Sequence, residues 1–253
     1  MEFLKKSFAA QTDKDFELVV VDGYPGRINR GVALEYLKQA NVGLTWYGPP
    51  KQKSYRTVTE FASAMNTGLR VAKGAWAVFL HDYCFIPEDA VARWKRSIRE
   101  NGTKCLISGF ARRYTAVHFP QHLDHDISLW DNSDRGIPIY IVEDWVPKRF
   151  EVFYSAFPLE FMELVNGWDE RADNHTTHPL SSITCQAFMH EYRLEVDRRL
   201  VCHMIDHRDW GEKAGTATIW NYVQQKEPEE PGWYRVSPNC FNLQEERRIC
   251  QNG

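Results

Sequence analysis

Four short apolar runs, each closed by a polar or turn-forming stretch and separated by segments with helical spacing, constrain this chain more than any other feature. Residues 16–22 read FELVVVD and stop at Asp22, just before the turn-rich GYPGR. Residues 42–48, VGLTWYG, are broken by a proline pair, and residues 75–80, AWAVFL, run into His81-Asp82-Tyr83. Residues 104–110, KCLISGF, are the fourth run. Between them, Val32, Ala33, Tyr36, Leu37 and Ala40 recur at helical spacing, as do Val58, Phe61, Ala62, Met65, Leu69 and Ala72. Gly74 follows where a helix end favours positive φ. The stretch PEDAVARWKRSIREN opens with proline and two acids, keeps Ala90, Val91, Trp94 and Ile98 on one face, and stops before Gly102. Strands this uniformly apolar, separated by amphipathic helices, predict an α/β protein with a mostly parallel sheet covered on both faces.

Beyond residue 110 the pattern loosens. Residues 137–142 read as a strand, 158–170 as a short helix ending at Gly167, 181–192 as another helix, and 192–207 as two short strands. From Arg208 the polar, proline-containing sequence reads as a tail packing on or extending the domain. A net charge of −3 exerts no global pull on nucleic acid or anionic membrane. No apolar run approaches the roughly eighteen residues of a membrane span, and the N-terminus lacks a signal-peptide core. Six cysteines without a CxxC pair point to reduced thiols and a cytoplasmic protein.

Ligands of an open parallel sheet bind beyond the carboxyl ends of its strands. Asp22 and Asp82 both stand there, and each is also a suitable turn former or helix cap. His203 and His207, four residues apart near the end of the last strand-like stretch, are candidate metal ligands or ordinary core and surface histidines. The group His118, His122, Asp124, His125 and Asp126 follows no zinc spacing and reads as a solvated loop. Arg112-Arg113 and Arg198-Arg199 suit phosphates or plain surface charge, and Trp46, Trp130, Trp145 and Trp168 suit a sugar, a base or the core.

Four blocks, in order, carry a resemblance. QTDKDFELVVVDG resembles the approach to the second strand of family 2 glycosyltransferases, and NTGLRVAKGAWAVFLHDY resembles their Asn-x-Gly helix and the strand ending at a DxD-type motif. VNGWDERAD resembles their acceptor-side Gly-Gly-Phe-Asp-Glu segment, and VCHMIDH the late strand whose histidine often joins the metal shell. The resemblance covers roughly residues 4 to 207 and implies a GT-A fold over 1–207, with 208–253 as the tail. It implies a nucleotide-diphosphate sugar donor, most commonly a UDP-sugar, and Mn²⁺ or Mg²⁺. By position Asp22 would contact the nucleoside, and Asn66 and Gly68 belong to the helix beside the site, with Asn66 on the donor side. Asp82 and Tyr83 would meet the diphosphate, and Asp82 with His203 or His207 would hold the metal. Carboxylate and imidazole together suit manganese better than calcium.

Three departures qualify what the resemblance implies. The family's first strand is missing, so either another segment fills that place or the true start lies upstream. The last acid of the DxD-type motif is Tyr83, and residues 174–184, NHTTHPLSSIT, hold no carboxylate where the family has an acidic pair. A base must still take the acceptor hydroxyl's proton. Asp173 is the first candidate, with Asp169, Glu170 and His175 nearby; acids at a helix end also commonly cap or solvate it. Two functions follow: an inverting transferase acting on a hydroxyl of a glycan, a lipid-linked sugar or a modified DNA base, or a decayed module that binds nucleotide or glycan without turnover.

Overall fold

The computed structural model describes residues 2–21, 35, 43–47, 61–81, 84–115, 150, 154–170, 180–206, 239 and 241–252. The helix expected over 30–40, apart from Glu35, and the strand expected over 137–142 lie outside these residues. Helix α1 (Glu2–Ala9) precedes β1 (Glu17–Val21), which pairs in parallel with β2 (Gly43–Tyr47), Glu17 opposite Gly43 and Val21 opposite Tyr47. Helix α2 (Phe61–Val71) lies on β1. A β-carbon on Gly68 would stand 3.5 Å from Val21 and 3.9 Å from Val19, which measures how closely helix and strand pack.

A second sheet holds β3 (Trp76–Leu80), β4 (Cys84–Phe85), β5 (Cys105–Thr115), β6 (Tyr154–Pro158) and β7 (Arg193–Asp206), in the order β3-β6-β5-β7-β4. Helix α3 (Ala90–Asn101) leads into β5, α4 (Leu159–Leu164) follows β6 directly, α5 (Leu180–Met189) leads to β7, and α6 (Leu243–Asn252) stands last among the described elements. The class is α/β, with helices flanking the sheet. Strand direction is more mixed than the apolar runs predict. The β1–β2 and β5–β7 ladders are parallel, while β6 runs antiparallel to both β3 and β5, and β4 antiparallel to β7. A short run buried on both faces is equally apolar in either direction, so composition cannot reveal the reversal at β6. The result still matters for the site: β3, β5 and β7 share one direction and finish on one side of the sheet. Among the described residues no ladder joins β1 to β3.

Residues 193–206 form one strand where the sequence predicts two. The break appears instead as a register jump. Ser108 pairs with Val196 but Phe110 with Val201, so the stretch between Val196 and Val201 bulges out of the ladder. Asp197 ties this excursion, accepting the backbone N–H and the Nε–H of Arg199 at 2.9 Å each. The end of α2 differs too. Gly74 is absent from the positive-φ residues, and the helix is closed by Glu17, whose Oε1 accepts the backbone N–H of Lys73 and, at 3.2 Å, that of Gly74. Gly102, by contrast, ends α3 at φ 74°, as its position predicts.

Helix α1 fixes the chain that follows the His81-Asp82-Tyr83 triplet. Buried Ser7 accepts the Ile86 N–H at 3.0 Å. Buried Gln11 donates to Pro87 O at 2.6 Å and accepts from Val91 N–H at 3.0 Å. The core is aromatic at its centre: Trp168 meets Phe79 and Phe157 edge-on at 5.3 and 5.2 Å, and Phe79 meets Phe157 at 5.5 Å. Trp168 is fully buried there, which makes it a packing residue. No helix among the described residues is long and apolar enough to cross a membrane.

Candidate active site

The side of the sheet where β3, β5 and β7 finish is where a ligand of this architecture binds. Leu80 closes β3 and His81 follows it; three residues later β4 begins, and Cys84 N–H donates to His81 O at 3.1 Å. Strand β4 pairs antiparallel with β7, Cys84 opposite Met204 and Phe85 opposite His203. Chain leaving β3 therefore arrives beside the end of β7, where Asp206 is the last strand residue. His203 is fully buried within this ladder, across from Arg112 of β5 on its other edge. Asp22, Asp82, Tyr83, Asp173, His175 and His207 lie outside the described residues. Among those described, no three metal-binding side chains cluster.

The best-defined part of the candidate site is the turn after α4. Asn166 and Gly167 both adopt left-handed backbone, at φ 59° and 75°, and Gly167 N–H returns to Met162 O at 2.7 Å. This is the helix-ending geometry that Asn-Gly favours. A β-carbon on Gly167 would fall on Asn66 Oδ1, so only glycine fits. The turn drives Trp168 into the core and leaves Asp169, 6% exposed, and Glu170 at its end.

Asn66, on α2, is fully buried and faces this turn. Its amide donates to Trp168 O at 2.9 Å and to Glu170 Oε1 at 3.1 Å, and its oxygen accepts Trp168 N–H at 2.8 Å. Of the residues the sequence marks for the candidate site, Asn66 and Glu170 are thus brought into contact, with Asp169 preceding Glu170 in the same turn. Gly68 lies on the face of α2 that packs on β1, where a β-carbon would make ordinary contacts with Val21 and Val19, while Asn66 reaches the acidic turn.

Two further asparagines that sequence reading did not single out complete the turn. Asn239 donates to Asn166 O at 2.7 Å and Trp168 O at 2.8 Å, and its oxygen accepts Glu170 N–H at 3.1 Å. The Asn166 side chain donates to Phe241 O at 2.9 Å and accepts Leu243 N–H at 2.8 Å. Asn166 was legible as a helix-ending residue before glycine; Asn239 stands in a polar stretch with no periodic signal.

This fold recurs in solved structures of nucleotide-bound and nucleotide-sugar-bound proteins. The structure superposes on TarS 1-349 of S. aureus in complex with UDP with a TM-score of 0.56 at 15% identity, covering 81% of this chain and 56% of that one. It superposes on the mannosyltransferase PcManGT from Pyrobaculum calidifontis, in complex with GDP-Man and Mn2+, with a TM-score of 0.54 at 16% identity, covering 99% of this chain and 69% of that one. The chain thus spans little more than half the length of the TarS fragment. No curated protein matches the sequence. Residues 3–155, more than half of the chain and spanning β1 through the start of β6, match Glycosyl transferase family 2, and the chain belongs to that family.

Proposed function

We propose that this enzyme moves a sugar from a nucleotide-diphosphate sugar, a UDP-sugar in the first instance, to a hydroxyl acceptor, with inversion and with a divalent cation. The observation that carries the reading is the family match over residues 3–155, which takes in both strand ends that bear Asp22 and Asp82. Neighbours of the same fold, solved with UDP and with GDP-Man and Mn2+, support the donor class. In this reading Asp22 holds the nucleoside, and Asp82 with Tyr83 meets the diphosphate. The acceptor oxygen attacks the anomeric carbon from the face opposite the diphosphate and forms the new C–O bond. The bond to the β-phosphate oxygen breaks, and the hydroxyl proton passes to a carboxylate, Asp173 first and Asp169 next.

The residues assigned to the cation fit one. Asp82 follows the end of β3 in sequence and precedes β4 by two positions, and β4 pairs with β7 at Met204 and His203, near the strand end that His207 follows in sequence. Oxygen and imidazole donors from those two ends are a set that manganese accepts. When bound, the cation supplies charge neutralisation for the departing diphosphate.

The test is turnover of UDP-glucose, UDP-galactose, UDP-N-acetylglucosamine and GDP-mannose, each with Mn²⁺ and with chelator. Transfer or slow hydrolysis that needs metal is expected. Asp82→Ala should abolish it without rescue by excess Mn²⁺, and Asp173→Asn should lower kcat far more than donor affinity. Nucleotide binding with no turnover of any donor identifies a decayed binding module. Full activity of Asp82→Ala in chelator removes the metal assignment.

A further inference from the structure

We propose that Asn239 is a positioning residue of the transfer site, and that the C-terminal segment of the chain acts on the chemistry by holding the turn that carries Asp169 and Glu170. This rests on the transferase reading and assigns a role to a segment outside the family match, which stops at residue 155.

The argument starts from what the turn requires. Two consecutive left-handed residues, Asn166 and Gly167, turn the backbone away from the helix and leave polar groups that the helix cannot satisfy. Side chains of Asn66 and Asn239 supply the partners, while the side chain of Asn166 ties the turn to the backbone of Phe241 and Leu243. Asn66 comes from α2, Asn166 from the turn itself, and Asn239 from the C-terminal segment. Trp168 O receives amide protons from both Asn66 and Asn239, at 2.9 and 2.8 Å. Glu170 is held at both ends: its carboxylate receives the Asn66 amide at 3.1 Å, and its backbone N–H reaches the Asn239 oxygen at 3.1 Å.

Asn239 therefore spends both its amide protons and its oxygen on residues 166–170. A side chain that only tethered a tail would need one such bond. The C-terminal segment itself has a firm base, because Leu243 of α6 is fully buried and bonded to Asn166. The arrangement orients a carboxylate-bearing turn from both sides, which is what placing an acid against a reacting hydroxyl demands. Misplacement of about 1 Å in such a group costs on the order of 100-fold in rate.

The experiment is Asn239→Ala in the full chain, with whichever of the four donors the wild type turns over. kcat should fall about 10- to 100-fold, while donor KM and UDP affinity stay within about twofold. Hydrogen exchange at the Glu170 amide should accelerate in the same variant, because that N–H loses its acceptor. A merely structural Asn239 would move thermal stability and UDP affinity but not kcat alone. Unchanged kcat, a loss confined to donor KM or UDP affinity, or a fall in kcat with Glu170 exchange unaltered would overturn the proposal. A wild type that binds UDP but turns over no donor overturns the transferase reading itself, a result separate from any of these.

Discussion

Asp197 shows how one carboxylate is tuned by its setting. It is 8% exposed and sits where β7 leaves its register against β5. Burial pushes its pKa up, but hydrogen bonds from Arg199 and Ser97 outweigh that and bring it down to about 2. A carboxyl depressed in the folded state adds stability above its unfolded pKa, and that stability is lost as pH falls through the folded value. The window here runs from about pH 4 down to about 2. Arg199 is largely solvent-exposed and so screened, which reduces the contribution to about 1–2 kcal/mol. Asp197→Asn should lose that amount near neutral pH in urea unfolding. Its stability should also fall less steeply than the wild type's between pH 4 and 2. Parallel pH profiles for the two proteins would show that the carboxylate is not coupled to folding.

At the scale of elements, the C-terminal helix is the instructive case, because its buried anchor is an arginine. Arg247 of α6 is 5% exposed; it donates to Glu163 Oε1 at 2.6 Å, to Ala72 O at 2.8 Å, and to Leu69 O. It thereby satisfies carbonyls at the end of α2 and joins α2, α4 and α6. Arg70 adds a partly exposed ion pair with Glu246 at 2.7 Å and lies 4.3 Å from the Phe241 ring centre. Arg247→Met keeps much of the stem but leaves Glu163 and the α2 carbonyls without that donor, and should cost about 2–4 kcal/mol in chemical denaturation. A loss below about 0.5 kcal/mol would place the pair among surface bridges of little value. This helix also explains what sequence reading misses. Asn242 followed by Glu245 is a start signal, and Asn242 Oδ1 does accept the Glu245 N–H at 3.0 Å. The stripe facing the core, however, is Leu243 and Arg247, and hydrophobic periodicity does not register an arginine as buried. Strands β1, β2, β3 and β5 were legible because their cores are apolar runs; β6, YSAFP, was not, because Ser155 and Pro158 interrupt its apolar character and α4 follows it without a break.

Over the whole molecule, the same contrast separates the legible part of the candidate site from the rest. The strand ends of β1 and β3, the Asn66-x-Gly68 helix and the Gly167-Trp168-Asp169-Glu170 turn can all be picked out along the sequence. That Asn239 and α6 close on that turn cannot, since contacts between residues some 70 positions apart leave no local pattern. If α6 is part of the core rather than an appendage to residues 1–207, ending the chain at residue 238 should be costly. The truncation removes fully buried Leu243, worth about 2 kcal/mol. It also removes the Arg247 bonds, at about 2–4 kcal/mol, and the Asn239 bonds, at about 1 kcal/mol each. Domains have only about 5–15 kcal/mol in total, so a large share of the stability would go. At this chain length each kcal/mol moves Tm by about 2–4 °C, and the truncated protein should melt more than about 10 °C below the full chain. Adding saturating UDP should recover part of that difference if the nucleotide site is formed by the strand ends, because a ligand that binds only the folded state stabilises it. A melting temperature within about 3 °C of the full chain would mean that α6 rests on the domain without supporting it.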